Sequence, residues 1–137
     1  MTERKYLPTF ADLVDRLSIV LLKQIFIPEF SKEYAEERKL IEDDLESSMM
    51  DRIAITGKEI SAILLVMLAN RTIWENEAEA RKGGRRQNKL LKFTHSINGV
   101  RNRAKNAMAG YERRDRKVDC FAADLPPEFG NWNVFDD

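Results

Sequence analysis

An all-α bundle of four helices, closed by an extended C-terminal tail, is the fold this 137-residue chain predicts. Three observations carry that expectation. Apolar residues recur at spacings of three and four in four segments, no segment alternates polar and apolar at period 2, and helix-starting and helix-stopping residues stand at the segment ends. The expected division is a helical domain over 1–118 and a tail over 119–137.

The first helix is expected from about Phe10 to Ile27. Thr9 with Asp12 three residues on resembles a capping box, and Pro28 ends the helix or forces a turn, having no N–H to donate. Its apolar residues lie almost all round, as in a central helix. The second segment, "EFSKEYAEERKLIEDDLESSM", has a thinner stripe of Phe30, Tyr34, Ile41 and Leu45 amid heavy charge, which suits a peripheral amphipathic helix. Thr56 and Glu59 form a second capping box that launches a long helix, stopped by Gly83 and Gly84. The fourth helix, from Gln87, spaces Leu90, Phe93, Ile97, Val100, Ala104, Ala107, Met108 and Tyr111 helically. The tail has paired prolines, acids and aromatics. It is expected to be extended and to pack through Phe129, Trp132 and Phe135; an acidic, aromatic partner-binding tail is the alternative.

With 43% hydrophobic residues the composition is that of a folded chain. The lone Cys120 makes no internal disulfide, no leader-like start is evident, and the densest apolar run, Ile60 to Ala69, is too short to span a bilayer. A soluble cytoplasmic protein without a cofactor is expected, in the host cytoplasm if phage-encoded. Formal net charge is zero, yet residues 81–117 hold 13 Lys/Arg against 2 Asp/Glu, leaving 10 against 21 elsewhere. That asymmetry fits either a basic helix beside acidic ones or an anion site on the basic half.

"NRTIWENEAEAR" sets charge where a packing stripe should be apolar. Residues three, four or seven apart share a helix face. Asn70, Trp74, Glu77 and Arg81 therefore continue the line of Ile63 and Met67 on the third helix. Asp12, Arg16, Ile19 and Lys23 align on the first, and Asn98, Arg101 and Lys105 edge the apolar stripe of the fourth. Charge buried without a partner costs several kcal/mol, so such strips must neutralise one another or meet a ligand. If all converge, cations exceed carboxylates by three, and arginine's planar fork suits phosphate or carboxylate. Trp74 would stack on a base or sugar. A buried ion network that fixes helix register is the competing explanation.

The same residues resemble three ordered motifs of an uncharacterised family of small helical proteins from bacteria and phages. "LPTFADLVDRLSIVLLK" is similar to the first through Asp12, Asp15, Arg16, Leu17, Ser18, Ile19 and Lys23. Asn70, Ile73, Trp74, Glu77 and Arg81 match an Asn-x-x-Ile-Trp-x-x-Glu-x-x-x-Arg signature, and Asn98, Arg101 and Lys105 match the third. The resemblance spans about Leu7 to Met108 and implies no known activity; some relatives occur near glycosyl-transfer functions. The basic "RKGGRRQNK" stretch and the aromatic tail depart from the family pattern.

Other chemistries find less support. Glu33, Glu36, Glu42, Asp43 and Glu46 imitate a magnesium-binding helical hydrolase, but loosely and within uniformly charged surroundings. His95 has no Cys or Ser partner at readable spacing, so no triad or zinc site is expected. "RKGGRRQNK" and "ERRDRK" are basic enough for nucleic-acid phosphates, against the repulsion of the acidic remainder. The strips and motifs together predict a non-enzymatic, homo-oligomeric protein that captures a small phosphorylated ligand, foremost a nucleotide. Asp12, Arg16, Lys23, Asn70, Trp74, Glu77, Arg81, Asn98, Arg101 and Lys105 are the expected ligand residues. In a phage, by analogy with other small helical phage proteins, such capture would remove a host immune signal. A metal-dependent nucleotide or sugar-nucleotide processing enzyme and a structural or nucleic-acid-associated adaptor are the alternatives.

Overall fold

The computed structural model describes residues 8–50, 52, 54–83, 87–108, 127–132 and 134–135. Every regular element among them is helical: α1 (Phe10–Phe26), a 3-10 turn (Pro28–Phe30), α2 (Ser31–Met49), α3 (Gly57–Arg81), α4 (Gln87–Met108) and a 3-10 helix (Pro127–Trp132). Packing divides the chain into two compact units, 1–55 and 56–137, so the described C-terminal residues belong with α3 and α4. The fold class is all-α, as the sequence predicts. Tyr111 and Cys120 lie outside the described residues, as does the side chain of Phe129.

In the first unit, Thr9 accepts the Asp12 N–H at 3.1 Å and starts α1. Ile27 has left helical geometry (φ −124°, ψ 74°), and its N–H still bonds Lys23 O at 2.8 Å before Pro28 opens the turn. α1 and α2 pack through Leu13, Val20 and Ile41, with Leu17, Tyr34 and Leu45 around them. Phe30 is a correction to the expected α2 stripe. It is exposed on the elbow and meets Tyr34 edge to face at 6.4 Å, because the 3-10 turn rotates it away from the line that Ile41 follows. The charged face of α2 carries water-exposed pairs, Arg38–Glu42 at 3.7 Å and Lys39–Asp43 at 3.9 Å, of the kind that adds little stability.

The second unit begins with a complete capping box. Thr56 Oγ1 accepts the Glu59 N–H at 3.1 Å, and Glu59 Oε1 accepts the Thr56 N–H at 3.0 Å. Glu59 is buried while Thr56 is exposed, so the two orphan donors at this end are satisfied at the border between core and solvent. Thr56→Ala is expected to cost about 1 kcal/mol, read as a lower urea midpoint at unchanged slope. Gly83 closes the other end at φ +75°, a left-handed conformation that glycine adopts without steric cost, its N–H bonded to Ala80 O at 3.0 Å.

Between these ends α3 buries Ala62, Leu65, Val66, Ala69 and Ile73. α3 and α4 are consecutive, joined across only residues 82–86, and pack side by side, with Asn70 meeting Arg101 across the contact, so the two helices run antiparallel. α4 contributes Ile97, Val100, Ala104 and Met108 to the buried set. The tail's expected extended form is corrected at its described end. Residues 127–132 make a 3-10 helix, and Trp132 packs on the Ala69, Ile73 and Ile97 cluster beside Phe93.

Candidate functional site

The second unit places a polar seam along one edge of the α3–α4 contact. Asn70 lies one residue beyond Ala69, about 100° round the helix, which turns its amide out of the apolar stripe toward α4. Its Oδ1 accepts a hydrogen bond from Arg101 Nη1 at 3.1 Å. Asn70 is only 4% exposed, so the acceptor is out of reach of bulk water. Arg101 sits one turn beyond the fully buried Ile97, at the edge of the stripe, where Nη1 is engaged and Nε is buried with no hydrogen-bond acceptor among the described residues. A guanidinium carries five donors in a rigid plane, and leaving one unmade inside a protein is costly.

Lys105 follows Arg101 by one turn and is 9% exposed, an unusual position for an ammonium group. Asn98 precedes Arg101 by three residues and is half-buried, as is Trp74, one turn from Asn70. Five predicted residues therefore belong to one stretch of one helical hairpin. α4 contains no Asp or Glu in its 22 residues, so the helix that carries Arg101 and Lys105 supplies no carboxylate to offset them.

Glu77 and Arg81 lie elsewhere. They lie on the outward face of the last turns of α3, whose opposite face still buries Ala80, and Arg81 Nη2 and Glu77 Oε2 stand 3.8 Å apart with side chains 80% and 47% exposed. Asp12, Arg16 and Lys23 belong to the first unit: Asp12 is half-buried in the opening turn of α1, Arg16 is exposed, and Lys23 places its Nζ 5.8 Å from the centre of the Tyr34 ring. That last contact is a cation–π geometry.

The predicted acidic face of α2 remains a face. Glu33, Glu36, Asp43 and Glu46 are exposed, and among the described residues no group of three or more His, Cys, Asp or Glu is placed to hold a metal ion. His95 is exposed on α4. No helix among the described residues is long and apolar enough to cross a membrane. Asn76 escaped the sequence reading: its amide nitrogen is buried without an acceptor among the described residues. Its neighbours Glu75 and Glu79 mark the segment as a solvated face, so nothing local signalled a covered amide.

No family model matches this sequence, and neither a curated protein nor a solved structure matches the chain.

Proposed function

We propose that this protein captures a small phosphorylated ligand, a nucleotide, without chemical turnover, and that the polar seam of α3 and α4 is where it binds. The observation that carries this reading is the Arg101 guanidinium. It is fixed at one end by Asn70, with Nε buried and lacking an acceptor among the described residues. A phosphate oxygen is the acceptor such a fork takes most strongly, through charge-assisted and often paired hydrogen bonds. Lys105, one turn along, adds a second positive charge for the same group. Trp74 provides a face for a base or sugar, and the amides of Asn70 and Asn98 provide hydrogen-bonding edges for discrimination. Asp12, Arg16, Lys23, Glu77 and Arg81 enter the proposal on their motifs alone.

The three ordered motifs also underlie our assignment of the chain to the family of small helical bacterial and phage proteins. In a phage, the reading becomes removal of a host nucleotide signal by a homo-oligomeric sponge. Native mass spectrometry of the purified protein, alone and with a panel of linear and cyclic nucleotides and nucleotide sugars, tests it. A stoichiometric nucleotide adduct, recovered with unchanged mass after denaturation, is the expected result. A changed ligand mass would transfer the site to an enzyme, and no adduct across the panel would remove the ligand reading.

One observation favours a second reading. The Asn70–Arg101 bond crosses between helices, as a polar contact that fixes register would. That reading requires the seam to act on stability alone.

A further inference from the structure

The residues beside the polar pair are held from outside the hairpin. Trp132, the last residue of the C-terminal 3-10 helix, packs on Ala69 and Ile73 of α3 and Ile97 of α4, beside Phe93. These are the immediate apolar neighbours of the pair. Asn70 follows Ala69 and lies three residues before Ile73, while Arg101 is one helical turn beyond Ile97. Both Ala69 and Ile97 are fully buried, so a shift of the helices at this level cannot be absorbed by slack in the packing.

The same segment has a second anchor. Phe135 lies beneath Lys58, whose Nζ is 5.9 Å from the ring centre. Lys58 precedes Ala69 by 11 residues, about 16 Å of helix. Trp132 therefore lies level with Asn70 and Arg101, while Phe135 meets the first turn of α3, away from them.

We infer that Trp132 is a positioning residue for the polar seam: by bracing Ala69, Ile73 and Ile97 together, it holds Asn70 and Arg101 at hydrogen-bonding distance and so sets the geometry in which Arg101 meets its ligand. Packing that fixes a neighbouring side chain to within a fraction of an ångström is what a precise binding group requires. The last clause rests on the proposed ligand; the bracing does not.

The chain has two tryptophans, so replacing Trp132 leaves Trp74, one turn from Asn70, as the sole indole emitter. In the full-length protein, Trp132→Ala is compared with Trp132→Phe, with Phe135→Ala as the distant-anchor control and far-UV circular dichroism confirming helix content. Relative to Trp132→Phe, the alanine variant is expected to shift Trp74 emission to the red. Amide exchange in residues 70–74 and 97–101 is expected to quicken about tenfold, with nucleotide affinity about tenfold lower. Phenylalanine restores exchange and affinity toward the wild-type values, and Phe135→Ala leaves exchange in those two stretches unchanged. Should alanine prevent folding, Trp132→Leu replaces it in the same comparison.

Identical Trp74 emission and identical exchange in the truncating and aromatic variants would overturn the positioning role. Loss of protection throughout α3 and α4 in Phe135→Ala as well would also overturn it, reducing the segment to a general stabiliser. Emission and exchange that move as expected, in a protein whose wild type takes no nucleotide, would keep the bracing and discard the proposed ligand.

Discussion

Arg101→Ala is expected to weaken nucleotide binding about a hundredfold, a loss of about 2.7 kcal/mol, while the protein stays folded. The size follows from the position of the group. In the proposed site Arg101 would meet the anion from a half-buried edge where water competes poorly, so each charge-assisted bond would count for more than on an open surface. Arg81→Ala supplies the contrast. That side chain is 80% exposed and already faces Glu77, so its removal is expected to change affinity less than threefold at physiological salt. Isothermal titration of both variants with the nucleotide found by mass spectrometry checks the pair of values. Equal losses from both would place the anion on the exposed end of α3 instead of in the seam.

Asn70→Leu is expected to destabilise the protein by about 2 kcal/mol, and adding Arg101→Met is expected to return most of it. Leucine takes the acceptor from a guanidinium that has no other acceptor among the described residues. A half-buried charged donor then loses its one partner among the described residues, which is more harmful than never having had it. Methionine removes that charge and keeps an apolar stem of similar length. A double-mutant cycle in urea therefore yields a coupling of about 1–3 kcal/mol. The direction of the double variant matters most. If it matches or exceeds wild-type stability, the polar pair costs the fold something and its presence calls for a ligand. If it is the least stable of the four proteins, the seam locks helix register and the ligand reading fails.

Some of this was legible before any coordinates. Thr56 and Glu59, Thr9, Pro28 and Gly83 each act through bonding within a few residues, and local chemistry of that kind transfers directly to structure. That Asn70 and Arg101 each lie at or beside a packing face was expected from their spacing, but their meeting each other was not, because spacing within one helix says nothing of the partner helix. The orientation of α3 was harder. "ISAILLVMLA" is apolar on every side, so its period cannot say which face turns inward. Ile63 and Met67 are only half-buried, while Ile60, Leu64 and Leu68 are exposed and Ala62, Val66 and Ala69 are deepest. Small residues let α4 approach closely, and that preference outweighed the larger aliphatics. Glu77 and Arg81 followed from the same ambiguity: they keep the helical spacing of Asn70, but in the last turns the inward face is the one that carries Ala80, and theirs looks to solvent. The 3-10 helix ending at Trp132 left no periodic mark, being too short to have one.

The order in which these contacts can form is itself a property of the chain. α1 pairs with α2 and α3 with α4, each with its neighbour in sequence, so both hairpins close short loops and can assemble rapidly. Trp132 is different, because the cluster it packs against lies partly on α3, 59 to 63 positions earlier in the chain. Eighteen residues separate Met108 from Pro127, which at the usual pace of synthesis is about 1 to 4 seconds. The α3–α4 hairpin is thus complete for a long interval, by the standards of helix pairing, before its brace exists. The polar seam can therefore form before the residue proposed to brace it has been made, and the contact from Trp132 is added only afterwards.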